Sequence, residues 1–154
     1  VQILTAASGS GGLVGGEVVD VLSEGKAVDS VTLDFIHRRK TGALIGASCE
    51  IGAVLGGAEE EVSKALSLFG MQIGLAFQIA DDILNETSTA EQLGKSAGSD
   101  RERQKATYPS LYGLVQSREK AESAVEGALE GLRSMGIAHP HVEELAYYAI
   151  QRLQ

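Results

Sequence analysis

A chain of 154 residues, 44% hydrophobic and 22% charged, can bury one sizeable core, so a single domain or a large piece of one is expected. The formal net charge is −8 and the basic residues do not gather into one patch, which speaks against nucleic acid as a partner. Cys49 has no internal disulfide partner and reads as a reduced thiol in a small-residue apolar run, and no basic segment leads into an apolar run as a secretory signal would.

Residues 1–16 and 65–80 are the longest uncharged runs, and both fall short of the ~20 residues that cross a bilayer, so no transmembrane segment is expected. Residues 8–16 are rich in glycine and mark a break, or a closely packed helix start, ahead of a helix near 13–22. Residues 23–29 are a connector. Apolar side chains at Leu33, Ile36, Leu44, Ile45, Ala47, Ile51 and Leu55 predict a helix over 31–55. The period resumes over 59–85 with Val62, Leu66, Phe69, Ile73, Phe77, Ile79 and Leu84. Gly56 and Gly57 separate the two, and Glu59, Glu60 and Glu61 suit the first turn of the second.

Residues 86–106 are polar and almost free of large apolar side chains, and read as a mobile loop, either a flap over a site or plain disorder. Three more helices are expected over 108–116, 117–134 and 141–153, with Pro140 suited to the start of the last. No βαβ alternation is present, so the fold class is all-α.

The chemistry concentrates where the apolar run ends, at Phe77-Gln78-Ile79-Ala80-Asp81-Asp82-Ile83-Leu84-Asn85. Two carboxylates closing a buried apolar helix are costly unless a cation neutralises them, which points to a metal. On a helical wheel Gln78, Asp81, Asp82 and Asn85 share one stripe about 100° wide, with Gly74 and Met71 beneath them. Such a face suits a ligand with an anionic head and a hydrocarbon tail, although a solvent-facing acidic pair at a helix end would read the same way. Mg²⁺ takes few carboxylates and shares its other positions with water and phosphate oxygens. Asp81 is the better candidate for direct ligation and Asp82 for a bridging or supporting contact.

A second group is His37-Arg38-Arg39-Lys40-Thr41. A basic run is most often a solvated face, but here His37, Lys40, Thr41 and Leu44 fall together at helical spacing, with Ser48 beyond them. A lysine beside a hydroxyl suits a phosphate. The third group is Leu93-Gly94-Lys95 with Asp100 and Lys105, followed by Ala106-Thr107-Tyr108-Pro109, a loop whose lysines can close over a diphosphate.

Together these motifs resemble the trans-isoprenyl diphosphate synthases, the farnesyl and geranylgeranyl diphosphate synthase family. The likeness runs through Gly12-Leu-Val-Gly-Gly-Glu-Val-Val-Asp20, His37-x-x-Lys40-Thr41, Phe77-Gln78-x-x-Asp81-Asp82-x-x-Asn85, Gly94-Lys95, Asp100, Lys105-x-Thr107-Tyr108-Pro109 and Tyr148-x-x-x-Arg152. It implies a helical bundle of the isoprenoid synthase type, here its C-terminal part, and a prenyltransferase that condenses an allylic diphosphate with isopentenyl diphosphate. Asp81 and Asp82 match a second aspartate-rich motif holding Mg²⁺, with Mn²⁺ as the alternative ion. Lys40 and Lys95 match groups gripping the allylic diphosphate, with Lys105 at the same end and Arg152 near the tail. Thr41 and Gln78 match groups beside the developing cation, and Asp20 a cavity-facing acid. Phe77 and Asn85 complete the motif, and Met71 and Gly74 would line the hydrocarbon pocket.

Three departures accompany the likeness. Asn85 stands where a third aspartate is usual, and Glu17 where glutamine is common. No first aspartate-rich motif occurs anywhere in the chain. The chain is therefore expected to be the C-terminal half of such an enzyme, inactive alone, cytoplasmic (or plastid, as some relatives are) and homodimeric. A non-catalytic subunit of the same fold and a helical module for an unrelated apolar ligand are the alternatives.

Overall fold

The longest helical period of the sequence becomes the central element of the computed structural model, which describes residues 1–87, 105–151 and 153. In chain order the helices are α1 (Gln2–Ser8), α2 (Leu13–Ser23), α3 (Ser30–His37), a π-helical turn (Arg38–Gly42), α4 (Ala43–Leu55), α5 (Glu60–Thr87), α6 (Tyr108–Ser134) and α7 (Pro140–Gln151). Among the described residues there is no strand, as the all-α reading requires.

Helix α5 is buried on several sides. Phe69, Ile73 and Ala76 pack with Val125, Ala128, Leu129 and Leu132 of α6 and with Ala146 and Ala149 of α7. Leu75, Ile79 and Ile83 pack with Leu33 of α3 and Tyr108 and Ala121 of α6. Each fully buried leucine or isoleucine in these clusters contributes about 1.5–3 kcal/mol from leaving water. By length and composition α5 would suffice to cross a bilayer, and 44% of its apolar window is buried inside the protein.

Toward α4 the contact is made by glycines. A Cβ on Gly70 would lie 2.8 Å from the Cα of Gly46, and one on Gly74 would lie 2.6 Å from the Cα of Gly42. The two backbones meet where no side chain fits between them.

Several boundaries differ from the sequence reading. The expected helix over 31–55 is interrupted by the π-turn. Its start is fixed by Asp29, whose Oδ1 accepts the Thr32 N–H at 2.8 Å. Within α6 the two helical segments expected over 108–134 are joined by a kink, and the kink falls at Gly113 (φ 76, ψ 165) rather than before Ser117. Ser117 is wholly buried and donates its hydroxyl to the Gly113 carbonyl at 2.7 Å. Thr107 and Ser110 form a reciprocal cap at the start of α6. Helix α1 was not expected, because its apolar period is too short to register. Of the expected loop over 86–106, Glu86 and Thr87 belong to α5, Lys105 and Ala106 are non-helical, and 88–104 lie outside the described residues.

Candidate active site

The π-turn decides where the basic run points. Its wider winding slips the helical register, and four consecutive polar side chains leave in three directions. Arg38 donates from Nε to Asp34 Oδ2 at 2.6 Å and from Nη1 to Gln72 Oε1 at 3.3 Å. Arg39 donates to the Gly11 carbonyl at 2.6 Å and lies 5.7 Å from the Phe35 ring centre. His37, Lys40 and Thr41 enter a cavity of about 290 Å³ between α2, the π-turn and α5. Leu44 and Ser48, expected on the same face, are not part of its lining.

That cavity also receives Asp20 from α2, Gln78, Asp81 and Asp82 from α5, and Lys105 and Thr107 from the chain leading into α6. The residues singled out from three separate stretches thus converge on one space. Lys40 and Lys105 each place Nζ at 2.7 Å from the same Asp20 oxygen, Oδ2. Lys40 also reaches Glu17 Oε2 at 2.6 Å, and Lys105 lies 3.4 Å from Glu24 Oε1.

Burial acts to raise the Asp20 carboxyl, but the hydrogen bonds and charges of Lys105 and Lys40 outweigh it and hold the group below the ordinary aspartate value. Burial likewise acts to lower the Lys40 ammonium, and Asp20 and Glu17 outweigh it, raising the group above its ordinary value. The Lys40 ammonium therefore stays charged beside a carboxylate that stays charged.

The two neighbouring aspartates have different settings. Asp82 is buried, and its Oδ2 lies 2.9 Å from His37 Nε2 while accepting the Tyr108 backbone N–H at 2.9 Å. Asp81 is half-buried and opens on the cavity. Tyr108 extends this network: its hydroxyl donates to Asp34 Oδ1 at 2.8 Å. Burial, and then that bond, push the Tyr108 hydroxyl well above the ordinary tyrosine range. Sequence reading did not assign a role to Tyr108 or Asp34. The only signal was their place beside motif residues.

Asp81 and Asp82 fit a divalent cation. Both carboxylates face the cavity, and Asp82 Oδ2 takes both hydrogen bonds while Oδ1 takes neither. Among the described residues no cluster of three or more His, Cys, Asp or Glu side chains forms a metal cage. Two carboxylates without a cage suit Mg²⁺, which is commonly held by one or two carboxylates together with phosphate oxygens and water.

Four expected site residues lie elsewhere. Phe77 packs against the core shared by α5, α6 and α7. Gly74 is closed off against the Gly42 backbone and has no space for a ligand. Met71 lines a different cavity of about 560 Å³, with Ile3 and Ala6 of α1 and Ala43 and Ala47 of α4. Asn85, one turn beyond Asp81, is not part of the lining. Lys95, Asp100 and Arg152 lie outside the described residues. Cys49 is partly buried against the core, and burial pushes its thiol up, as a structural cysteine requires.

Comparison with known proteins bears on the family and the fold. The polyprenyl synthetase family model matches residues 1–136. A dimethylallyltranstransferase of Fischerella ambigua is 46% identical over 150 residues, covering 97% of this chain and 43% of that protein. The farnesyl diphosphate synthase of Escherichia coli is 40% identical over 153 residues, covering 97% of this chain and 51% of that protein. Among solved structures, a geranyltransferase of Helicobacter pylori complexed with magnesium and isoprenyl diphosphate superposes with a TM-score of 0.81 at 31% identity, over 99% of this chain and 50% of that one. The chain spans about half the length of the curated relatives it matches.

Proposed function

Because this chain belongs to the polyprenyl synthetase family, we propose that it forms the metal- and diphosphate-holding wall of a trans-prenyltransferase. The substrates are an allylic diphosphate and isopentenyl diphosphate, and the product is a short-chain diphosphate such as farnesyl or geranylgeranyl diphosphate. The observation that carries this reading is the meeting of Lys40, Lys105, Asp81 and Asp82 in one cavity, two cations and two carboxylates drawn from three parts of the chain.

In the reaction the allylic C1–O bond breaks and the diphosphate leaves with the electron pair. The double bond of isopentenyl diphosphate attacks the cation, and loss of a proton restores the alkene in a chain one isoprene unit longer. Asp81 and Asp82 would hold Mg²⁺ (or Mn²⁺), which would supply positive charge against the departing diphosphate. Lys40 and Lys105 bind its oxygens, a task we extend to Lys95 and Arg152 on the motif match. Thr41 and Gln78 line the same cavity, where their side-chain oxygens would stabilise the allylic cation through their dipoles. Asp20 holds the two ammonium groups together until diphosphate takes its place beside them. A homodimer, and a location in the cytoplasm or a plastid, belong to the same proposal.

Calorimetric titration with a non-hydrolysable allylic thiodiphosphate tests the reading. Binding should require Mg²⁺ and be lost in Asp81→Asn. Metal-independent uptake of the prenyl group alone would instead favour a module for unrelated apolar ligands.

A further inference from the structure

No step above uses His37, yet only 6% of the residue is exposed. Among the described residues its Nδ1 is buried without a hydrogen-bond partner, and its Nε2 lies 2.9 Å from Asp82 Oδ2. A carboxylate accepts and does not donate, so Nε2 carries a proton and donates it to Asp82. Burying an unpartnered ring nitrogen carries a desolvation cost that a leucine of similar size would not incur. What the imidazole adds over an apolar side chain is the Nε2–H. The ring plane is fixed as well, stacked on Tyr108 with centroids 5.5 Å apart and planes 20° from parallel. Tyr108 in turn donates its backbone N–H to the same Asp82 oxygen at 2.9 Å. One carboxylate oxygen is thus held from two sides by two mutually stacked residues.

We infer that His37 is a positioning residue for Asp82: its Nε2–H fixes the carboxylate rotamer so that Oδ1 is presented to the cation that accompanies a diphosphate. The inference rests on the proposed diphosphate site. It concerns the orientation of a ligand side chain, which partners outside the first coordination sphere commonly control.

The test is Mn²⁺ binding to the purified protein by electron paramagnetic resonance in the presence of inorganic pyrophosphate, with thermal melting alongside. His37→Leu should weaken Mn²⁺ binding about 10–100-fold while the protein still melts cooperatively, and His37→Gln, which keeps an N–H donor, should restore most of the affinity. A folded His37→Leu protein that binds Mn²⁺ like the wild type overturns the inference, as does His37→Gln binding as weakly as His37→Leu. Failure of the wild type to bind Mn²⁺ with pyrophosphate overturns the diphosphate reading and this inference together. If His37→Leu does not fold, the imidazole ¹⁵N signals of the wild type decide. An Nε2–H tautomer whose Nε2 signal moves on adding Mg²⁺ and pyrophosphate supports the inference, and an Nδ1–H tautomer or an unmoved signal overturns it.

Discussion

Lys105 and Asp20 stand 85 positions apart in the chain and meet at 2.7 Å, on the same carboxylate oxygen that Lys40 also reaches at 2.7 Å. The shared oxygen makes Asp20 the counter-ion of both lysines that we propose bind diphosphate. A diphosphate approaching them would compete with it.

Asp20→Asn removes that competitor. Pyrophosphate should bind the variant several-fold tighter without Mg²⁺, a gain of about 1 kcal/mol for partly solvated pairs. Isothermal titration in low salt measures it, and weaker binding would show that Asp20 assists the anion by aligning the lysines.

The same carboxylate gives a pH dependence. Its folded value lies below the ordinary 3.8, so its contribution to stability is present above pH 3.8 and lost as pH falls through the folded value. The Lys40 value is raised above 10.5, so its contribution is present below pH 10.5 and lost as pH rises through the folded value. Melting temperature should fall at both extremes in the wild type and vary less there in Asp20→Asn.

Glu17 draws on the same ammonium, 2.6 Å from Lys40 Nζ. Its side chain is half exposed, so the pair is screened and worth about 0–1 kcal/mol. Glu17→Gln should tighten pyrophosphate binding up to about fivefold, the affinity equivalent of 1 kcal/mol, and leave the melting temperature nearly unchanged. Titration of the two proteins under one ionic strength checks both halves of the expectation.

Asp82→Ala leaves two buried donors, His37 Nε2–H and the Tyr108 N–H, without an acceptor. Each unsatisfied group costs about 1–3 kcal/mol. Urea unfolding should therefore show a loss of several kcal/mol, separate from the loss of metal binding.

Glycine-to-alanine changes should have opposite signs in two helices. Gly74→Ala puts a methyl 2.6 Å from the Gly42 Cα and should destabilise by about 1–3 kcal/mol or more through overpacking. Gly74→Phe should prevent folding, where a pocket-lining Gly74 would merely shorten the product. Gly131 in α6 has nothing within 4 Å of an added Cβ, and Gly131→Ala should stabilise by about 0.5–1 kcal/mol. Thermal melts rank the variants.

That Lys40 and Thr41 share one face, and Gln78, Asp81 and Asp82 another, was legible because helical spacing fixes which residues share a face; that the two faces serve one site was implied only by the family resemblance. The same arithmetic misplaced Gly74. Angle on a helix says nothing about what lies opposite, and about 6 Å below Gln78 along the axis that stripe leaves the cavity and meets the Gly42 backbone. Phe77 was named by motif alone, and its direction, a residue off the stripe, carries it into the core. The π-turn left no mark in the sequence, since Arg38-Arg39-Lys40-Thr41 would suit an ordinary helix equally well. Its Gly42 is shaped by the neighbouring helix, not by local preference. The Asp82 network was illegible for the same reason, because its donors come from Tyr108 and His37 through tertiary packing.

A π-turn is an α-helix with a residue inserted, and the segments on either side keep the faces they would otherwise have. Leu33 and Ile36 before it and Ala47 and Ala53 after it all remain in the core. Deleting Arg39 should therefore leave the scaffold standing and withdraw Lys40 and Thr41 from the cavity. Loss of chemistry without loss of architecture is thus one codon away at this position.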